Sequence, residues 1–180
     1  IIKEAYKAAD ELAKEGMTLE SALKISYDTA STLQQIHGQD IIHGDITPKN
    51  IMSDGQTTTL TDFGNSRVIG LDLYPSLPYR EDNEKSYVVS FANDLPLVGT
   101  PDYFAPETFF TGSSVSGDIY SMVTTTLDWT TGVVVAPKIR EEGWSTEIYQ
   151  STKKAMIESN VPQPVRQAIL FNLLTAPEKR

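Results

Sequence analysis

Two clusters of polar side chains carry the chemistry this sequence can support. The first is His43-Gly44-Asp45-Ile46-Thr47-Pro48-Lys49-Asn50, and the second, a little further along, is Asp62-Phe63-Gly64. Two aspartates and an asparagine brought together by a tight hairpin would form an oxygen-rich site suited to Mg²⁺, a hard cation that prefers such donors. Phosphoryl transfer needs that combination: metal to neutralise phosphate charge and a carboxylate to orient the attacking hydroxyl. Taken singly, either cluster also reads as a polar turn, and for Asp62-Phe63-Gly64 alone the turn is the plainer reading. Order and spacing together favour the site.

Something must hold those clusters in place. Asn50-Ile51-Met52 and Thr59-Leu60-Thr61 flank Ser53-Asp54-Gly55-Gln56, which predicts a small two-stranded hairpin between the clusters. Upstream, Ile1 to about Lys14 is rich in helix formers and stops before Gly16. Thr18 can cap a second helix from about Leu19 to His37, with Leu19, Ala22, Leu23, Ala30 and Leu33 at helical spacing. Gly38-Gln39-Asp40 breaks it, and Ile41-Ile42 runs straight into the first cluster. Phe63 to Phe104 shows no sustained period. A helix is expected from about Val115 to Thr131, despite threonines that lower its propensity, with two more over Glu147–Glu158 and Pro164–Leu174. The fold class is mainly α with a small β hairpin.

Composition narrows the function. The chain has 180 residues, enough for one hydrophobic core and one domain. It contains no cysteine, which excludes disulfides, thiolate metal sites and cysteine nucleophiles. His37 and His43 are too few for a histidine-based metal centre. A net charge of −9 argues against a nucleic-acid surface, which needs clustered Lys and Arg, and otherwise serves solubility. Apolar runs such as 132–137 are too short to cross a bilayer, and no signal peptide is visible. The chain opens inside a helical pattern without Met and stops at Arg180 without a helix terminus, so residues 1–180 read as an excised piece.

On these motifs the chain resembles the protein kinase superfamily, of the serine/threonine type, over nearly all its length. His43 to Asn50 looks like the catalytic loop, and Asp62-Phe63-Gly64 like the metal-binding triplet that opens an activation segment ending at Glu107. Gly99-Thr100-Pro101-Asp102-Tyr103-Phe104-Ala105-Pro106-Glu107 is similar to the substrate-docking loop and closing triplet. Asp118-Ile119-Tyr120-Ser121 with Gly132 resembles the central helix of the large C-terminal lobe, and Ala176 to Arg180 its late arginine segment. The resemblance implies a kinase-like C-terminal lobe that uses ATP and Mg²⁺ on a protein substrate. Asp45 would orient or deprotonate the acceptor hydroxyl, and Asn50 and Asp62 would hold Mg²⁺ against the nucleotide. Thr100 would hydrogen-bond near Asp45 and shape a site for serine or threonine. His43, Phe63 and Gly64 would align the loops, and Asp118 would accept catalytic-loop N–H groups. Glu107 would pair with Arg180. His37 reads as structural.

Departures from the family pattern carry expectations of their own. Gly44 stands where many kinases place an arginine that binds a phosphate on the activation segment, so activity is not expected to depend on such a phosphate. Thr47 stands where a lysine near the γ-phosphate is usual; Lys49 either supplies that charge or is a solvated lysine. The stretch from Asp62 to Glu107 is long for an activation segment and reads as a surface loop.

No Gly-rich loop, strand lysine or partner glutamate is present; these belong to the small N-terminal lobe, which becomes an expected partner. ATP binds between lobes, so the isolated piece should bind it poorly and be inactive. The leading function is serine/threonine protein kinase, as part of a longer, cytoplasmic protein. A pseudokinase scaffold is the second reading, encouraged by Gly44 and Thr47 but opposed by the presence of Asp45, Asn50 and Asp62. A small-molecule phosphotransferase of the aminoglycoside or choline kinase type is the third. It shares the His-Gly-Asp run but lacks the Thr100–Glu107 loop in this form.

Overall fold

The computed structural model describes residues 6–70, 89–90, 96–135, 138–139, 143 and 145–179. Strand β1, Lys7–Ala8, leads directly into helix α1, Ala9–Lys14. The helix expected over 1–14 is therefore shorter at its start. Lys7 and Ala8 instead pair antiparallel with Ser53 and Met52, because the open edge of a two-stranded hairpin offers unpaired backbone groups that outweigh local helix propensity. Helix α2, Leu19–His37, is capped by Thr18, whose hydroxyl accepts the Ser21 N–H at 3.1 Å. Its buried stripe is Ala22, Ile25, Ser26, Thr29 and Leu33, while Leu23 and Ala30 are only partly covered.

Strand β2, Ile41–Ile42, follows. The hairpin is β3, Ile51–Ser53, against β4, Thr58–Leu60, with Ile51 opposite Leu60. Its turn is set by Asp54, whose Oδ1 accepts the N–H groups of Gln56 at 2.9 Å and Thr57 at 2.7 Å. Strand β5, Arg67–Val68, pairs with β2. Strands β6, Val89–Ser90, and β7, Pro96–Leu97, pair within the long segment after Asp62.

Helix α3 is the short Thr108–Thr111, and α4 is Val115–Thr131, begun by Ser114 accepting the Gly117 N–H at 3.0 Å. Helices α5, Thr146–Glu158, and α6, Gln163–Leu174, complete the domain, within a residue of their expected bounds.

Helix α4 separates two cores. Tyr120, Val123 and Leu127 pack with Ile148, Met156, Val161, Ile169 and Leu173. Met122 and Trp129 cover a second cluster built from Ala9, Ile25, Leu33, Ile46, Ile51 and Leu60. The β-branched threonines of α4 are tolerated because several return their hydroxyls to the preceding turn: Thr124 to Tyr120 O at 3.0 Å and Thr131 to Leu127 O at 2.6 Å. Ile46 and Ile51 from the second core bracket the polar stretch ending at Asn50, so the functional loop is anchored by apolar burial worth about 1.5–3 kcal/mol per side chain.

Candidate active site

Helix α4 presents Asp118 in its first turn, and this buried carboxylate organises the loop that begins at His43. Its Oδ2 accepts the His43 N–H at 2.8 Å and its Oδ1 the Gly44 N–H at 2.9 Å. His37, at the end of α2, adds a third contact from Nε2 to Oδ2 at 2.9 Å. A carboxylate this deep would be costly unpaired; three donors satisfy it.

His43 is fully buried and faces two ways. Its Nε2 lies 3.0 Å from Thr61 O, while Nδ1 accepts the Asp45 N–H at 3.3 Å. That pattern fixes the proton on Nε2. The ring also packs on Phe63, with centroids 4.6 Å apart. Phe63 is nonetheless 45% exposed.

The Asp45 carboxylate is held on both oxygens. Thr100 N–H donates to Oδ1 at 2.9 Å and Asn50 Nδ2 to Oδ2 at 3.1 Å. Asn50 Nδ2 also reaches the Asp45 carbonyl at 2.8 Å, which leaves Oδ1 of Asn50 without a partner among the described residues. Thr100 comes this close because Gly99 precedes it: a Cβ there, at φ 137°, would lie 2.7 Å from the Phe104 ring and 3.2 Å from Asp45 Oδ1. Burial pushes the Asp45 carboxyl above its ordinary value of 3.8, opposed by the hydrogen bonds from Thr100 and Asn50.

The hairpin returns the chain to this loop. Thr61 N–H donates to Asn50 O at 2.9 Å, and Asp62 follows at once. Asp62 adopts a left-handed backbone, φ 60° and ψ 66°, uncommon for a residue with a Cβ and least so for Asp and Asn. Its exposed carboxylate accepts only the Gly64 N–H, at 3.3 Å, among the described residues. Asn50 Oδ1 and the Asp62 carboxylate are oxygen donors of the kind Mg²⁺ prefers, so the residue types present fit that ion. Among the described residues no group of three or more His, Cys, Asp or Glu side chains could hold a metal, so an ion here would draw its other ligands from phosphate and water.

The whole arrangement matches one family. A model of the protein kinase domain aligns with residues 3–178. The chain belongs to the protein kinase domain family. It is similar to Protein kinase 2 of Dictyostelium discoideum, 29% identical over 91% of this chain and 30% of that protein. It is also similar to two proteins of Saccharomyces cerevisiae. Serine/threonine-protein kinase ELM1 is 35% identical over 52% of this chain and 14% of that protein. Serine/threonine-protein kinase PKH1 is 34% identical over 42% and 9%. The chain therefore spans less than a third of the length of each of these relatives.

In this kinase domain Lys49 is exposed and lines a cleft of about 560 Å³ together with Thr100, Tyr103, Asp128, Asp10 and Lys14. Two contacts escaped sequence reasoning. Tyr103 OH donates to Asp128 Oδ2 at 2.8 Å, and burial together with that carboxylate pushes the phenol well above its ordinary value. The His37–Asp118 contact joins residues 81 apart, a separation no local pattern reveals. The expected Glu107–Arg180 pair lies outside the described residues at Arg180, as does most of the activation segment after Gly70. No helix among the described residues is long and apolar enough to cross a membrane.

Proposed function

We propose that this kinase domain transfers the γ-phosphoryl group of ATP to serine or threonine of a protein substrate, as the large lobe of a longer cytoplasmic protein with its small lobe upstream. The observation that carries the reading is the Asp45 carboxylate, clamped by Asn50 Nδ2 and Thr100 N–H beside the turn that opens with Asp62.

Mg²⁺, when bound, neutralises phosphate charge. Asn50 and Asp62 are the residues that would hold it. Asp45 orients the acceptor hydroxyl and takes its proton; the raised carboxyl makes it a better acceptor than a fully solvated aspartate. Lys49 supplies positive charge toward the transferred group from the cleft wall. Thr100 fixes the base through its main chain and borders the acceptor position. His43, Phe63 and Gly64 align the two loops, and Asp118 fixes the first of them. The cleft between Lys49 and Asp128 receives the acceptor segment.

The test is transfer of labelled phosphate from ATP with Mg²⁺ to serine- and threonine-containing peptides, using the chain extended upstream. Asp45→Ala should lower the rate about 10²–10⁴-fold. Equal rates from wild type and Asp45→Ala, or transfer only to small-molecule hydroxyls, would defeat the reading. Gly44 and Thr47 favour a pseudokinase scaffold as the second reading, and absence of any transfer by the extended wild type would select it.

A further inference from the structure

Thr47 stands two residues after Asp45 on the same stretch of chain. Its side chain is almost wholly buried, at 3% exposure, yet its hydroxyl makes no hydrogen bond among the described residues. A hydroxyl taken out of water without a partner is costly, and native proteins seldom leave one so. At Thr108, Thr125 and Thr152 an unpaired side-chain oxygen is sealed from solvent. The Thr47 oxygen is not sealed in this way, and the residue lines the cleft with Lys49 and Thr100.

The backbone explains which way it faces. Pro48 disfavours the helical region for the residue before it, and Thr47 is extended, at φ −144° and ψ 162°. Side chains alternate along an extended stretch. Ile46 is turned into the second core, which leaves Asp45 and Thr47 on the opposite side. Thr100 meets both, since its N–H donates to Asp45 and it lines the cleft with Thr47. Other hydroxyls of the cleft wall are already engaged. Tyr103 OH donates to Asp128, while Thr130 and Thr131 return theirs to the carbonyls of Thr126 and Leu127, at 2.6 Å each. The Thr47 donor stays open.

We propose that Thr47 is a substrate-binding residue: its hydroxyl donates to a main-chain carbonyl of the acceptor segment, beside the residue whose hydroxyl Asp45 orients. Asp45 then meets the acceptor side chain, and Thr47 sets the register of the chain that carries it. A contact to main chain serves serine and threonine acceptors alike. The inference rests on the phosphotransfer reading, in which this cleft receives the acceptor segment.

The test uses the chain extended upstream and a serine peptide that it phosphorylates, with alanine replacing the acceptor for binding measurements. Fluorescence anisotropy gives the affinity for the alanine peptide, and urea unfolding gives the stability. Thr47→Val keeps the shape and removes the hydroxyl. It should weaken peptide binding about three- to tenfold, the scale of one neutral hydrogen bond. KM for the serine peptide should rise to match, with KM for ATP unchanged. Thr47→Ser should bind as wild type does. The urea midpoint of Thr47→Val should equal or exceed that of wild type, because no hydrogen bond within the protein is lost.

If Thr47→Val does not fold, Thr47→Ala decides, with the same expected weakening. Wild-type affinity in the folded variant overturns the inference alone, as does a lowered midpoint with weakened binding that Thr47→Ser shares. The phosphotransfer reading is then still judged by Asp45→Ala. A wild type that neither binds nor phosphorylates any serine or threonine peptide overturns both.

Discussion

Oδ2 of Asp118 lies 2.9 Å from Nε2 of His37 and 2.8 Å from the main-chain nitrogen of His43, so one buried oxygen joins the end of α2 to the start of the His43–Asn50 loop. Asp118→Asn turns one acceptor into a donor that faces N–H groups. The expected loss is about 2–4 kcal/mol, in the range for a broken buried polar network. Urea unfolding measures it. His37→Leu, which leaves the two main-chain donors in place, should cost less than half as much.

The Asp45 carboxyl is raised from 3.8 by burial, which sets a direction for pH dependence. A carboxyl with a folded pKa above its unfolded one favours folding while protonated. That contribution is present below the unfolded value and disappears as pH rises through the folded one. Asp45→Asn should therefore flatten the stability profile over that acidic window and raise stability above it. Urea midpoints of both proteins across the window check this. Activity of the extended chain should lose its acidic limb above 3.8, when Asp45 takes up its proton.

Lys49 is exposed, and its ammonium has no hydrogen-bond or ion-pair partner among the described residues. Lys49→Ala should leave the melting temperature unchanged and lower kcat by about 10²-fold, the scale for removing one charge-stabilising group. An unchanged kcat would return Lys49 to the role of a solvated surface lysine.

Gly44 offers no guanidinium to a phosphate on the activation segment. Phosphatase treatment of the extended chain should leave its transfer rate unchanged. Loss of activity on that treatment would mean that another cation reads the phosphate.

Much of this arrangement was legible because it is local. The turn residues Ser53-Asp54-Gly55-Gln56 predict the hairpin, and the Thr18 cap and the break at Gly38 mark helix ends within their own turns. The order of the motifs around Asp45, Asp62, Glu107 and Asp118 carried the family. What stayed hidden depends on partners distant in sequence. Lys7 and Ala8 have helix-forming neighbours yet pair with Ser53 and Met52, far along the chain, since only the folded hairpin creates that edge. His37 reads as an ordinary late-helix residue until α4 brings Asp118 beside it. Asp128 carries no local signal of its role, since its bond to Tyr103 exists only once residues 100–103 lie across α4.

The stretch from Thr100 to Tyr103 is fastened at three points. Tyr103 OH is held by Asp128, the Tyr103 carbonyl by Ser121 Oγ at 2.8 Å, and the Thr100 N–H by Asp45 itself. These three bonds tie residues 100–103 to α4 and to the His43–Asn50 loop at once. A substitution at Ser121 or Asp128 therefore reaches Asp45 through the same short stretch of chain.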